Sequence, residues 1–282
     1  MNVIENKNFR LSARNCGAEL RSFVDKRGKQ EYEYLWQGGS VWDGCSPILF
    51  PIVGRLREDS YYLDNKAYVL EKHGFAKKKD FTLEQYDGES MTFLLKEDEL
   101  TVKSYPYSFE LRVRFSLLEN GFLAEHCVKN TGKGRMYFSL GAHPGFQCQM
   151  GDRIVMDEPE TEEAFRFDEN ALRAKEKEAV FEEGGVITIT QTIFEKDALI
   201  FAGLHSKGAS LIRANGRNVH VDFGGAPCLG LWAKPGADYV CIEPWYGIDD
   251  SWDATHDFTR KEYIQYLEAG EEFLFPVTVT VS

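Results

Sequence analysis

The chain has 282 residues, 45 of them acidic and 33 lysine or arginine, which gives a formal net charge of −12. This charge disfavours binding to nucleic acid or to an anionic membrane, because both repel a surface of the same sign. Hydrophobic residues make up 43% of the chain, enough for a sizeable core. The composition therefore predicts a folded globular protein whose partner is a small, neutral molecule.

The N-terminal segment MNVIENKNFRLSARN has no apolar stretch of the kind found in signal peptides, and nowhere do eighteen apolar residues run together. We therefore expect a cytoplasmic protein. Its six cysteines are scattered, without a CxxC pair. This spacing predicts reduced, mostly buried thiols rather than a zinc site or a disulfide framework.

Short runs of alternating apolar residues closed by turn signals recur from the first third of the chain onwards, which is typical of antiparallel strands. Residues 61–70, 81–95 and 109–128 read as hairpins, with turns at residues 64–66, 87–88 and 120–121. Further strands follow, from VITITQTIF to the closing FLFPVTVTVS. Helical periodicity is clear only at residues 169–181 and weaker at 260–267, where we expect peripheral helices.

More than ten strands without alternating helices predict two packed antiparallel sheets. No repeat, low-complexity tract or linker marks a domain boundary. The fold class is therefore predicted to be all-β, a large antiparallel β-sandwich forming a single domain over residues 1–282.

One segment that combines a titratable residue with glycine, proline and aromatic neighbours is LGAHPGF. His143 precedes a proline, and this position favours extended geometry, so that the imidazole projects from the sheet. Gly141 and Ser139 share its face, and their small size predicts open space for a ligand beside the ring.

The segment CIEPWYG repeats this construction around Glu243, which also precedes a proline. Alternation places Glu243 on the same face as Cys241 and Trp245. Partial burial would raise the pKa of this carboxyl and make it a better base near neutral pH. The indole of Trp245 offers a flat surface to the C–H face of a sugar ring.

Three more residues are candidates for substrate contacts. His73 stands in KHGFAK before a glycine, and Arg55 ends FPIVGR, where its fork of donors could bind sugar hydroxyls. Asp197 opens DALIFAGL and could accept a hydrogen bond from a hydroxyl. By contrast, we interpret the acidic loop with Asp249, Asp250 and Asp253 as a solvated rim rather than a metal site.

The remaining histidines do not stand in such segments. We interpret them as satisfied core or surface groups. They are His126, His205, His220 and His256.

Taken together, FPIVGR, HGFAK, LGAHPGF and LGLWAKPGADYVCIEPWYG resemble, in this order, the galactose mutarotase-like (aldose 1-epimerase) family, most closely its bacterial aldose 1-epimerase-related branch. The resemblance implies an antiparallel β-sandwich. It also implies that Glu243 is the general base, His143 the general acid and His73 a second polarising histidine.

The same resemblance implies substrate-binding residues. Arg55 and Asp197 would bind hydroxyls, and Trp232 and Trp245, both within the last segment, would complete the sugar site. The implied activity is that of an isomerase that interconverts the α and β anomers of a free aldose without cofactor or metal. We expect a monomer or homodimer whose only other partner is the sugar.

Three alternatives stay open at this point. The first is the same reaction on a hexose 6-phosphate, with a phosphate pocket built from Arg55, Arg57, Lys72 and Lys77. The second is a carbohydrate-binding protein without catalytic activity. The third is a glycoside hydrolase, which requires two catalytic carboxylates, of which the sequence shows only Glu243 clearly.

Overall fold

The computed structural model describes all residues, 1–282. It is built almost entirely of strands. In chain order they are β1 (Asn2–Glu5), β2 (Phe9–Ala13), β3 (Leu20–Asp25), β4 (Tyr32–Glu33), β5 (Ile48–Leu49), β6 (Ser60–Leu63), β7 (Lys66–Val69), β8 (Thr82–Tyr86), β9 (Ser90–Lys96), β10 (Phe109–Leu117), β11 (Gly121–Asn130), β12 (Met136–Phe138), β13 (Leu140–Ala142), β14 (Gly145–Gln147), β15 (Arg153–Met156), β16 (Ala164–Phe167), β17 (Arg173–Glu178), β18 (Val186–Thr188), β19 (Leu199–Ala202), β20 (Gly208–Ile212), β21 (Val219–Asp222), β22 (Cys228–Trp232), β23 (Tyr239–Tyr246), β24 (Gln265–Leu267) and β25 (Glu272–Val281).

Two large sheets dominate the fold. A nine-stranded sheet has the order β18-β15-β20-β21-β25-β11-β10-β9-β8, and an eight-stranded sheet has the order β17-β16-β19-β22-β23-β13-β5, with β14 also paired to β23. A four-stranded sheet, β1-β2-β3-β4, and the two-stranded sheets β12-β24 and β6-β7 complete the architecture. The predicted antiparallel, all-β class is confirmed.

Helices are few and short. One α-helical turn, α1 (Thr101–Ser104), accompanies 3₁₀ turns at Arg57–Asp59, Ala76–Lys78 and Phe258–Arg260. None of these helices is long and apolar enough to cross a membrane. All six cysteines are free, and four of them are buried.

The helix predicted at residues 169–181 is wrong, because this segment contributes the edge strand β17. The cationic groups of Arg173 and Lys177 lie 4.8 and 4.4 Å from the ring centre of Phe165 on β16. Residues four apart share a face in a strand as well as in a helix, so their spacing did not separate the two structures. Residues 260–267 likewise contain the end of a 3₁₀ turn and β24 instead of a helix.

The three predicted hairpins are present as β6-β7, β8-β9 and β10-β11. In the first, Asp64 and Asn65 both adopt positive φ angles, as a type I′ turn requires. Gly121 serves a different purpose from the one predicted. Its φ is ordinary, but a Cβ there would collide with the carbonyl oxygen of Val279 on the neighbouring strand β25.

The main core fills the space between the two large sheets. A single cluster of 64 buried residues includes Val240 and Ile242 of β23 together with Val277 and Val279 of β25. The alternate residues of β23 point to the opposite, outer face of the eight-stranded sheet. A smaller apolar cluster, which contains Trp245, covers part of that outer face.

Candidate active site

A cavity of about 480 Å³ opens on the outer face of the eight-stranded sheet. Six of the seven predicted site residues line it. They are His73, His143, Asp197, Trp232, Glu243 and Trp245. The sheet therefore brings together residues that are up to 172 positions apart in the chain, from His73 to Trp245.

Glu243 lies on the floor of this cavity, on the central strand β23, and is only 1% exposed. Burial raises the pKa of its carboxyl well above the ordinary value for glutamate, while the positive charge of Lys72 acts in the opposite direction. Its Oε2 atom has no partner in hydrogen-bonding geometry. The carboxyl is thus poised to accept or release a proton in a largely dehydrated site.

His143 stands directly beside this carboxyl, with Nε2 3.1 Å from Glu243 Oε2. Burial lowers the pKa of its imidazole to about 3. Two tryptophans frame the ring, with centroid distances of 5.3 Å to Trp42 and 5.8 Å to Trp232. The environment therefore favours the neutral forms of both side chains.

His73 is held in one tautomer by the backbone. Its Nδ1 accepts a hydrogen bond from the amide of Gly54 at 3.0 Å, which leaves Nε2 as the protonated nitrogen. Burial, followed by the charge of Lys72, lowers the pKa of this imidazole well below its ordinary value. His73 is consequently a neutral hydrogen-bond donor at the cavity.

The backbone at this position is unusual. His73 has a φ of +67°, and the following Gly74 has a φ of +66°. A Cβ on Gly74 would collide with the carbonyl oxygen of Phe50. The glycine of KHGFAK is therefore required for the close approach that orients His73.

Trp245 fills the space that the sequence predicted to be open beside His143, and that prediction is wrong. A Cβ at Gly141 would lie 2.7 Å from the indole of Trp245, and one at Gly230 would lie 2.5 Å from it. The two glycines on the flanking strands β13 and β22 thus make room for the indole. Trp245 is 2% exposed and forms a wall of the cavity next to Glu243.

Arg55 does not line the cavity. Its guanidinium pairs with both carboxylate oxygens of Asp59 at 2.8 Å and donates to the carbonyl of Asn170. To bind a sugar in the cavity, as predicted, it would first have to leave Asp59. The cations that do line the cavity are Lys72, whose Nζ lies 5.1 Å from the ring centre of Phe167, and Lys234.

The interpretation of the acidic loop as a solvated rim is wrong for two of its three residues. Asp249 is 1% exposed and lines the cavity, and Asp250 is buried and paired with Lys261 at 2.6 Å. Only Asp253 is exposed. One oxygen of Asp249 accepts from the amide of Arg55 at 2.8 Å, and the other has no partner.

Asp249, Lys72 and Trp42 are among the cavity residues that sequence reasoning missed. Gly54 is an indirect sign that Asp249 is buried, because a Cβ at position 54 would collide with the carboxyl group of Asp249. Lys72 was considered only for a phosphate pocket, although it is adjacent to His73. Trp42 lies in an irregular segment between β4 and β5, where no periodicity indicates the direction of a side chain.

Comparisons with known proteins match most of the chain. Residues 1–273 match the family described as aldose 1-epimerase. The protein LacX of Lactococcus lactis subsp. lactis is 31% identical, over 88% of each chain.

Two solved structures match this chain over its whole length. A galactose mutarotase related enzyme from Lactobacillus acidophilus is 32% identical, with a TM-score of 0.92 over 100% of this chain and 97% of that one. A galactose mutarotase-like protein from Lactobacillus casei is 26% identical, with a TM-score of 0.94 over the full length of both chains.

Burial of Glu243 predicts that replacing it with glutamine stabilises the fold at neutral and alkaline pH. The raised pKa means that the folded state holds the proton more tightly than the unfolded state. This contribution is complete below the pKa of the unfolded chain and is lost as the pH rises through the folded pKa. Gln resembles the protonated carboxyl and carries no charge to bury.

We expect Glu243→Gln to raise Tm by a few degrees at about pH 8, where ~1 kcal/mol corresponds to about 2–4 °C, and by less at about pH 5. Thermal unfolding across this range provides the measurement. Glu195→Gln, at an exposed carboxyl of the same cavity, is the control and should leave Tm unchanged. A gain that is independent of pH would contradict this explanation.

Proposed function

Because the chain belongs to the aldose 1-epimerase family, we propose that it interconverts the α and β anomers of a free aldose such as glucose or galactose. The observation that carries this proposal is the distance of 3.1 Å between His143 Nε2 and Glu243 Oε2 on the floor of a sugar-sized cavity. Anomer exchange requires two proton transfers at neighbouring oxygens, and this pair supplies two proton carriers at that spacing.

In the proposed reaction, Glu243 takes the proton of the anomeric hydroxyl and His143 donates a proton to the ring oxygen. The C1–O5 bond then breaks and the anomeric carbon becomes an aldehyde. After rotation about C1–C2, His143 withdraws the proton from the O5 hydroxyl and Glu243 returns its proton to the aldehyde oxygen as the ring closes. Each side chain ends as it began, so no cofactor is required.

The pair carries one proton throughout this cycle. At the start and the end of the cycle, Glu243 is ionised and His143 is protonated. While the sugar ring is open, both side chains are neutral. Burial favours the second arrangement in the free protein. The hydroxyls of a bound sugar would hydrogen-bond to the charged forms and bring the two arrangements closer in free energy.

Other side chains of the cavity would hold the sugar. Neutral His73 donates from Nε2, Asp197 accepts from a hydroxyl, and Trp232, which is half-buried, offers an apolar face. We propose that Lys72 supplies the positive charge that favours ionised Glu243. Lys72 would therefore act as a positioning residue through the electrostatics of the pair.

The cavity favours a neutral sugar over a phosphorylated one. Of the four residues considered for a phosphate pocket, only Lys72 lines it; Lys77 instead donates to the backbone carbonyl of Lys72. Carboxyl groups outnumber lysines around the cavity. The lysines are Lys72 and Lys234, and the carboxyls are Glu195, Asp197, Glu243 and Asp249.

The proposed activity predicts that the protein accelerates the polarimetric decay of fresh α-glucose or α-galactose without added metal or nucleotide.

Glu243→Gln and His143→Asn should each lower kcat by about 10²-fold or more, the effect of losing one proton carrier. Glu195→Gln and His205→Asn replace exposed residues of the same types and should leave kcat unchanged. Near wild-type turnover in both Glu243→Gln and His143→Asn would place the chemistry elsewhere. If the wild-type protein converts no aldose faster than buffer does, a binding protein is favoured instead.

The charge around the cavity predicts that glucose is converted with a kcat/KM at least about tenfold higher than that of glucose 6-phosphate, equivalent to ~1.4 kcal/mol. Anomer exchange of both sugars, followed by NMR saturation transfer, measures this ratio. A preference for the phosphate would overturn the assignment of a free aldose.

The proposed role of Lys72 predicts that removing its charge shifts the dependence of kcat/KM on pH. Lys72→Met should raise the pKa values of the pair, because a nearby positive charge disfavours every protonated form. Both limbs of the kcat/KM profile should then move to higher pH by on the order of one unit. Lys72→Arg should restore the profile, and Lys234→Met, which removes the other lysine of the cavity, should shift it less. An unmoved profile in Lys72→Met would exclude this role.

A further inference from the structure

Three side chains at the cavity floor and directly beneath it form a cluster that the proposed reaction does not fully use. One donor atom each from His143, Cys241 and Glu243 lies within 4.8 Å of the other two. All three residues are buried, and Cys241 is a free thiol. Imidazole nitrogen, thiolate sulfur and carboxylate oxygen are the donor types that Zn²⁺ takes in proteins.

The fold directs the sulfur of Cys241 towards this point. Cys241 and Glu243 are two positions apart on β23 and share a face. The strand partner of Cys241 is Gly145, where a Cβ would lie 3.4 Å from the sulfur and 2.8 Å from the ring of Trp42. The missing side chain therefore leaves the thiol facing the space beneath Trp42, next to His143.

The carboxyl donor of Glu243 is also free to bind. Glu243 Oε2 is buried without a partner in hydrogen-bonding geometry and already lies 3.1 Å from His143 Nε2. A tetrahedral zinc ion with bonds of about 2.0–2.3 Å requires donor separations of roughly 3.3–3.8 Å. Small side-chain rotations would bring the sulfur into that range.

We propose that His143, Cys241 and Glu243 form an inhibitory Zn²⁺ site, with the fourth coordination position facing the cavity. On binding, the S–H bond of Cys241 breaks and a Zn–S bond forms. The thiol proton and the single proton of the Glu243–His143 pair leave to solvent, and nothing is oxidised or reduced. The inhibitory consequence rests on the proposed function, because an ion that occupies both proton carriers prevents transfer to the sugar.

The test uses Co²⁺ as a spectroscopic probe of the site and Zn²⁺ as the inhibitor. Wild-type protein should bind one Co²⁺ per chain with a thiolate-to-cobalt charge-transfer band, and Zn²⁺ should displace it. Cys241→Ser should lose the band. Cys228→Ser, at a buried cysteine outside the donor cluster, should keep it.

In polarimetry, Zn²⁺ should inhibit the wild type reversibly, with recovery on adding a chelator. Measured against its own uninhibited rate, Cys241→Ser should require at least about tenfold more Zn²⁺ for the same inhibition. If Cys241→Ser does not fold, loss of the cobalt band in Glu243→Gln decides the same point.

A band that persists in Cys241→Ser would assign the ion to another thiol and overturn the proposal, as would a wild-type protein with neither band nor inhibition. Because Co²⁺ binding is read without sugar, a protein that binds the ion but does not exchange anomers would refute the proposed function and leave the metal site standing.

Discussion

The dehydration of Glu243 and His143 at 3.1 Å from each other governs the rest of this site. Removing either group from water disfavours its charged form, and the two effects act in opposite directions on the two pKa values. Burial therefore favours a single shared proton on this pair over a fixed charge on either group. The pKa values measured for such a pair describe the two groups together rather than either one alone. The positive charge of Lys72 adjusts both values.

The β-sandwich makes this arrangement possible because the main hydrophobic core and the cavity lie on opposite faces of the eight-stranded sheet. The main core lies between the two large sheets, so the outer face of β23 is free to carry a buried carboxylate. This burial nevertheless lowers the stability of the fold near neutral pH, because folding must either take up a proton at Glu243 or bury its charge away from water. The glycines at positions 141 and 230 serve the same end, because they allow the indole of Trp245 to lie against the sheet and shield Glu243.

The sequence predicted the elements whose signals are local. Alternating strands, the Asp-Asn turn of β6-β7 and the two residues that precede proline, His143 and Glu243, were all identifiable from near neighbours. The segment of β17 was misread because Arg173 and Lys177 share a face in either structure, and only their contact with Phe165 decides between them.

The missing parts of the site depend on contacts between distant segments. The acidic sequence around Asp249 indicates a surface residue, although the loop that carries it packs against Gly54. Arg55 was expected in the cavity, and its pairing with Asp59 and Asn170 could not be read from FPIVGR. Trp42 reaches His143 from a segment without regular structure. In each case the position is set by tertiary packing rather than by a local pattern.

Because burial raises the pKa of Glu243, we expect this carboxyl to retain its proton in the free protein at neutral pH. Difference infrared spectroscopy between the wild type and Glu243→Gln measures this directly through the carbonyl band of a protonated carboxyl. This account predicts that the band persists at pH 7, well above the range in which an ordinary glutamate ionises, and weakens when a sugar binds. A spectrum that shows only ionised carboxylate at pH 7 in the free protein would contradict it.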